Sequence, residues 1–272
     1  MIASIKAEWR KNRMRPAFLV AAGLMAGVVA LIYSLDWYQA LHPVGADRAV
    51  TLAMLYPDQF VNNIMGAGFP LGAAIAIVLG ALIAGSEYSW GTVKTSLTQG
   101  PGRLTTWFGR VVVFEAWMGI ITVILFVVGA ASSVVVATFQ GHAIAWPALV
   151  DIAKGLGTIW LVFAVNGAIG LALGTLIRSS AAALGVGLIY VLAVEVILVR
   201  FIDTINSGAY KWIGNLFVNQ NATALTQSFT SPAFGPSAGQ AITAEQAVVV
   251  LFAYFAGLVI IAAALIRQRD VT

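Results

Sequence analysis

Six stretches of this sequence are each long enough and apolar enough to cross a lipid bilayer as a helix, which takes about 20 mostly apolar residues. They run over about Pro16–Leu35, Ile64–Ser86, Trp107–Phe139, Leu149–Ile177, Ala181–Ile202 and Ala244–Ile266. The third and fourth exceed one crossing, so their ends should tilt or project into water. Of the 272 residues, 60% are hydrophobic and 10% charged, with a mean hydropathy of +0.90. A soluble domain carries roughly 25% charged residues. A water-soluble globule of this size has too little interior to hide so much apolar surface. A soluble enzyme and an extended disordered chain are therefore excluded. The expected fold class is an all-α integral membrane protein with six transmembrane helices. The chain has no cysteine, which removes disulfides, thiolate metal sites and a cysteine nucleophile. Its two histidines, His42 and His142, lie outside the long apolar runs.

Basic residues set the orientation, because the cytoplasmic side of a membrane protein collects Lys and Arg. An even number of spans puts both ends on one side. That side receives Lys6, Arg10, Lys11, Arg13 and Arg15 before the first span, and Lys94, Arg103 and Arg110 after the second. Arg178 follows the fourth span, and Arg267 and Arg269 close the chain, giving eleven of the fifteen basic residues. Arg48, Lys154, Arg200 and Lys211 fall on the other side. Both termini are expected in the cytoplasm of a bacterial-type plasma membrane. Residues 1–15 lack the short apolar core and cleavage site of a secretory signal. On a helical wheel Ile2, Ile5 and Trp9 share one narrow arc, with basic residues around the rest. That pattern suits an interfacial helix on anionic lipid. Arg13 falls close to the apolar arc, and a merely positive terminus is the alternative.

The cytoplasmic loop over 87–106 carries the strongest local signal. Thr92 can cap a short helix over Val93–Gln99, with Gly100 as its stop and Pro101 preventing continuation. Val93 and Leu97 then share one face. Two helical turns are unstable alone in water and need a surface to rest on.

The run Glu87-x3-Gly91-Thr92-x4-Leu97-Thr98-x4-Arg103 resembles the cytoplasmic loop of permeases in the type-two ATP-binding cassette (ABC) transporter family. The segment Glu8-Trp9-Arg10-Lys11 before the first span is similar to that family's interfacial helix. The six-span layout, the long outer segment before the last span and the ending Arg267-Gln268-Arg269-Asp270 agree with it too. The resemblance implies that the loop holds a coupling helix docked on an ATPase subunit, with Glu87, Gly91, Thr92, Val93, Leu97 and Arg103 forming that contact. It also implies a second permease copy or a related permease as partner, and short re-entrant helices in the outer segment 203–243. A nucleotide-binding P-loop needs G-x-x-x-x-G-K-[ST]. None of the five lysines, Lys6, Lys11, Lys94, Lys154 and Lys211, stands in that setting. This chain is accordingly expected to be no ATPase and to bind no cofactor, with ATP and magnesium held by the partner subunit. The alternative is an ordinary basic connector.

Charged and amide groups inside spans are functional candidates by default. Glu115 lies in the inner third of the third span, and Glu195 in the outer part of the fifth. Lys154 lies at similar depth in the fourth, and Asn166 near its middle. They could line a substrate path. The structural alternatives are a Lys154–Glu195 ion pair, a Glu115 contact with Arg110 or Arg178, and an interhelical hydrogen bond from Asn166 worth roughly 0.6–2 kcal/mol. Gly23-x3-Gly27 and Gly170-x3-Gly174 would let a neighbouring backbone approach closely, within the chain or across a dimer seam. Gly235-Pro-Ser237-Ala-Gly239 matches a nucleophile elbow in letters alone, since the elbow needs a strand before it and a helix after. Asn221-Ala-Thr223 matches a glycosylation acceptor, a match that occurs by chance. Tyr210-Lys-Trp212-Ile-Gly-Asn-Leu-Phe217 suggests an outer piece that dips into the interface or caps the bundle.

Three classes of function fit an integral membrane protein. The leading one is the permease subunit of an ATP-driven exporter, moving a drug, antibiotic peptide or lipid-like molecule along a dimer seam. A secondary transporter is the alternative, though such proteins usually show internal repeats and paired broken helices. An intramembrane enzyme would need converging Ser/His, paired Asp or metal ligands, which the spans lack. No feature points to nucleic acid.

Overall fold

The computed structural model describes residues 1–42, 51–89, 102–205, 210–229 and 242–268. Those residues form helices and no strand. In order they are α1 (Ile2–Arg13), α2 (Pro16–Leu41), α3 (Phe60–Ser89), α4 (Arg103–Phe139), α5 (Leu149–Ile177), α6 (Ser180–Ile189), α7 (Glu195–Thr204), α8 (Val218–Gln227) and α9 (Ala244–Gln268). Short 3-10 turns at Leu52–Leu55 and Pro57–Gln59 lead into α3, and a single turn at Lys211–Gly214 precedes α8. The expected coupling helix, with Gly91, Thr92, Val93 and Leu97, and the Gly235–Gly239 run lie outside the described residues.

Five helical stretches are long and apolar enough to cross a membrane: α2, α4, α5, Ser180–Ile202 and α9. The second expected span, α3, is bent: its halves Pro57–Gly66 and Leu71–Ser86 meet at 57°. Counted as one crossing, it brings the number to six. Gly66, Gly68 and Pro70 fall at the bend. Proline has no N–H for the bond four residues back, and helices kink where that bond is lost. The fifth expected span is interrupted as well. A π-helical segment, Tyr190–Val194, joins α6 to α7.

The helices outrun several of the apolar runs that announce them. α2 continues past Leu35 through Asp36, Trp37 and Tyr38; α3 begins at Phe60 rather than Ile64; α4 begins at Arg103 rather than Trp107. Once started, a helix gains one hydrogen bond per added residue, so it extends beyond the residues that hydrocarbon alone would select. Pro16 stands at the first position of α2, where its missing N–H costs nothing.

The core is built around α3 and α5, the most extensively packed pair. Within its spanning stretch, 67% of α5 is buried, against 22% of α9. Glycines explain the close fit. A Cβ at Gly80 would collide with the Gly167 carbonyl, and one at Gly170 with the Ile77 carbonyl. One at Gly174 would meet the Ala84 Cβ at 2.8 Å. The Gly170-x3-Gly174 pair thus serves contact within the chain. Gly23 and Gly27 face open space, and a Cβ added at either would meet nothing within 4 Å. At its end α5 turns sharply through Arg178, whose φ of 59° is left-handed, and Ser179 caps α6 by accepting from Ala182.

Replacing Gly170 by Ala should lower the melting temperature in detergent, by the equivalent of about 1–3 kcal/mol, because backbone must move to make room. Gly27→Ala in α2 should be neutral or stabilising by up to about 1 kcal/mol. Equal melting temperatures for the two variants would mean that the α3–α5 approach is looser than described.

Candidate functional site

At the end of the bundle that holds the N-terminus, α1 lies against the first turns of α4. Its inward face is polar: Ser4, Glu8 and Asn12, spaced four residues apart, are all buried. Ser4 donates its hydroxyl to the Thr105 carbonyl at 3.3 Å. The Glu8 carboxylate stands 3.8 Å from the Arg110 guanidinium, both side chains less than one-tenth exposed. Trp9 stacks on Trp117 with ring centroids 5.5 Å apart, and Phe18 of α2 stacks on the same indole at 5.0 Å. The apolar arc expected to lie on lipid is thus divided: Ile2 is 72% exposed, while Ile5 and Trp9 pack on the core. Removing one partner of a buried ion pair strands the other charge, which makes such pairs strong registers even where their net stabilisation is small.

Arg110 therefore faces Glu8 and not Glu115. Five residues at 3.6 per turn separate Arg110 from Glu115 by about 140° around α4, so one cannot reach the other. Both Glu115 carboxylate oxygens are buried without a hydrogen-bond partner among the described residues. Its backbone carbonyl accepts from the Trp160 indole of α5 at 3.2 Å. Asn166, 2% exposed, donates to the Val162 carbonyl of its own helix at 2.9 Å. It serves that helix rather than bridging to another, and its side-chain oxygen has no partner among the described residues. A carbonyl four residues back is always within reach of a short polar side chain on a helix.

Lys154 and Glu195 do not pair. Lys154 is exposed near the start of α5, while Glu195, 1% exposed, opens α7 directly after the π-helical segment. Glu195 accepts from the Asn219 backbone N–H in the first turn of α8 through Oε1, with Tyr190 and the Gln220 N–H close by, while its Oε2 is buried with no hydrogen-bond partner among the described residues. A helix N-terminus presents unpaired N–H groups and a partial positive charge, and can hold a carboxylate without any lysine. The stretch Ser180–Ile202 is thereby tied to the segment before α9. α8 also packs on α9, α3 and α5. The aromatic run around Trp212 does not itself form this helix but leads into it. Asn221, fully buried, donates to the Asn215 and Phe217 carbonyls at 2.8 Å each. That burial rules it out as a glycosylation acceptor in this fold.

Arg103 opens α4 and borders a groove shared with Arg267. Glu87 lies in the last turn of α3. Sequence reasoning misses Asn12, Trp160, Tyr190 and Asn219. Only Asn12 has a readable signal, the four-residue spacing with Ser4 and Glu8.

Hydrogen bonds to a charged group contribute about 1.5–3 kcal/mol, so Glu195→Ala should speed amide exchange in Val218–Gln227 by about tenfold or more. Glu195→Gln, which keeps an acceptor oxygen, should have a much smaller effect. Equal exchange in the two variants would show that the carboxylate does not hold α8.

Residues 51–272 match the family described as "Protein of unknown function (DUF2705)". No curated protein matches the chain. The family match takes in every helix from α3 to α9, including the Glu195–α8 anchor, and the chain belongs to that family.

Proposed function

We propose that this chain is the membrane-spanning permease subunit of an ATP-driven exporter of the type-two ABC class, in a bacterial-type plasma membrane with both termini in the cytoplasm. It works with a second permease and with separate ATPase subunits, which hold ATP and magnesium. The cargo is amphipathic: a drug, an antibiotic peptide or a lipid-like molecule.

What carries the proposal is the junction of α1 with the start of α4. The basic N-terminal helix is pinned by Ser4–Thr105 and Glu8–Arg110 to the turns that directly follow the loop over 90–101. Arg267, near the end of α9, borders the same groove as Arg103, so both ends of the chain lie at that end of the bundle. A force applied to the loop would pass straight into α4 and, through α1, to the membrane surface. The motif residues Glu87, Gly91, Thr92, Val93, Leu97 and Arg103 flank or occupy that loop. At α8, Glu195 ties down the outer segment that would close the exit. Glu115 and Trp160, adjacent on α4 and α5, are candidates for the wall of the path.

One observation favours a secondary transporter. Two of the spans are broken, α3 at its bend and α6–α7 at the π-helical segment, as helices around midplane binding sites often are. The two readings differ in whether transport needs an ATPase partner.

Orientation is tested by single cysteines, which are unambiguous in a chain that has none. Cysteines at Ser96 and Gln268 should be shielded from an impermeant reagent outside intact cells, and those at Ser207 and Ser237 should react. The reverse pattern would overturn the orientation.

Coupling is tested by Leu97→Asp and Gly91→Val at normal membrane levels. Each should reduce retention of the ATPase subunit on co-purification by about tenfold, the equivalent of about 1.4 kcal/mol, and lower ATP-dependent export. Unchanged retention and export would sink the docking role, and export driven by an ion gradient without ATP would select the secondary transporter.

A further inference from the structure

The stretch Ser180–Ile202 is held unequally along its length. Its first part, α6, is built into the bundle. It packs on α3 and α5, Ala183 is fully buried, and a Cβ at Gly187 would meet the Ile77 side chain at 2.6 Å. Its last part, α7, is held far less. Among the described elements α7 packs extensively only on the π-helical segment that it continues and on the turn Lys211–Gly214. Its Ile197, Leu198 and Phe201 are exposed. Its polar tie to the bundle is Glu195, whose Oε1 accepts from the Asn219 N–H of α8. α8 in turn is fixed by α9, α3 and α5, so it serves as a catch rather than as a moving part. Between the anchored α6 and the loosely held α7 lies the π-helical segment Tyr190–Val194, where the Glu195 N–H bonds the Tyr190 carbonyl five residues back.

We propose that α7 is a two-position arm, latched by Glu195 on the first turn of α8 and turned about its axis when the π-helical segment closes to ordinary α-helix. The geometry follows from one residue. A π-helical turn holds one residue more than an α-helical turn, and such turns occur mostly as single bulges inside α-helices. When the extra residue is taken up, everything after it advances by one helical position, which is about 100° around the axis and about 1.5 Å along it. At the radius of a side-chain tip that rotation is a displacement of about 8 Å. Glu195 then loses Asn219 and moves to the position that Val196 now holds, while Val194 takes the place of Glu195 against α8. A straight α-helix through α6 and α7 and the Glu195–Asn219 bond therefore exclude each other. Val194 is 38% exposed and Leu192 62%, so little packing opposes the turn. What opposes it is the carboxylate, which is costly to release into hydrocarbon, and this makes the latched position the resting one. The inference rests on the geometry of these helices and not on the transport proposal.

The test is cysteine cross-linking of the full chain in lipid vesicles with a short bifunctional methanethiosulfonate, which is clean because the chain has no cysteine of its own. One pair is Val194→Cys with Asn219→Cys, and the other is Val196→Cys with Asn219→Cys. Asn219 tolerates the change because its backbone N–H, not its side chain, meets Glu195. Adding Glu195→Ala should raise cross-linking of the Val194 pair about tenfold, the loss of one hydrogen bond to a charged group, and leave the Val196 pair unchanged. Deleting Leu192 removes the extra residue and leaves α7 in its present orientation, so Glu195→Ala in the deleted chain should give no gain. An equal gain in both pairs would show that α7 merely loosens, and would overturn the inference. No gain in the Val194 pair, or a full gain in a monodisperse chain without Leu192, would overturn it too. If the deleted chain does not fold, the comparison of the Val194 and Val196 pairs decides alone.

Discussion

Everything in this bundle is arranged around the contact of two backbones. In a bilayer, apolar side chains gain little by leaving lipid for protein, so helices associate through close van der Waals packing and polar contacts. Glycines on α3 and α5 permit that packing: Gly80 lies on the Gly167 carbonyl, Gly170 on the Ile77 carbonyl, and Gly174 beside Ala84. With α5 buried on most sides, the remaining spans are laid against this pair. α9 packs on α5, α6 turns back onto α3, and α4 joins α2 to the centre. Their outward faces keep the large apolar residues that lipid must cover, such as Leu24 and Leu31 of α2, Val123 and Val127 of α4, and Phe252 and Ile261 of α9.

Polar contacts then fix what apolar packing leaves free to slide. One lies at each end. Near the N-terminus, Glu8 meets Arg110 and Ser4 meets the Thr105 carbonyl, so α1 has one register along α4. In the segment before α9, Glu195 holds the first turn of α8. Both carboxylates are buried, and each is held by a different device: a guanidinium in one case, a backbone N–H at a helix terminus in the other. The π-helical segment before Glu195 adds a residue to the turn there, and such segments often mark functional positions in helices. Together these contacts link both ends of the molecule to its centre.

Much of the candidate site is hidden from the sequence for a simple reason. Depth in the membrane can be read along one helix, but azimuth relative to other helices cannot. Depth alone matches Lys154 with Glu195, yet the lysine is exposed and the glutamate is bonded by Asn219, 24 residues further along the chain. Proximity in sequence matches Arg110 with Glu115, yet they point to different sides of α4. Asn166 is placed to bridge two helices, and it bonds the Val162 carbonyl of its own because that acceptor is always at hand. The apolar arc of the first helix is its most legible feature, while its buried face is Ser4, Glu8 and Asn12. A polar stripe facing a span that carries a buried arginine is the more stable arrangement there, since it supplies the partner that charge needs.

The sequence by itself determined the medium and the element type. Long apolar runs with few charges can satisfy their backbone in lipid only as helices, and five of the six expected runs fall on helical stretches long and apolar enough to cross a membrane. It offered two glycine pairs for close approach, and the fold uses Gly170-x3-Gly174 and leaves Gly23-x3-Gly27 facing open space. Tertiary structure alone decided which neighbour fills each gap. It placed Gly170 against Ile77, brought Glu195 to the first turn of α8, and set Arg103 and Arg267 on one groove. Those outcomes depend on distances between residues far apart in the chain. Such distances are set by the joint packing of all the helices, and no local pattern of residues encodes them.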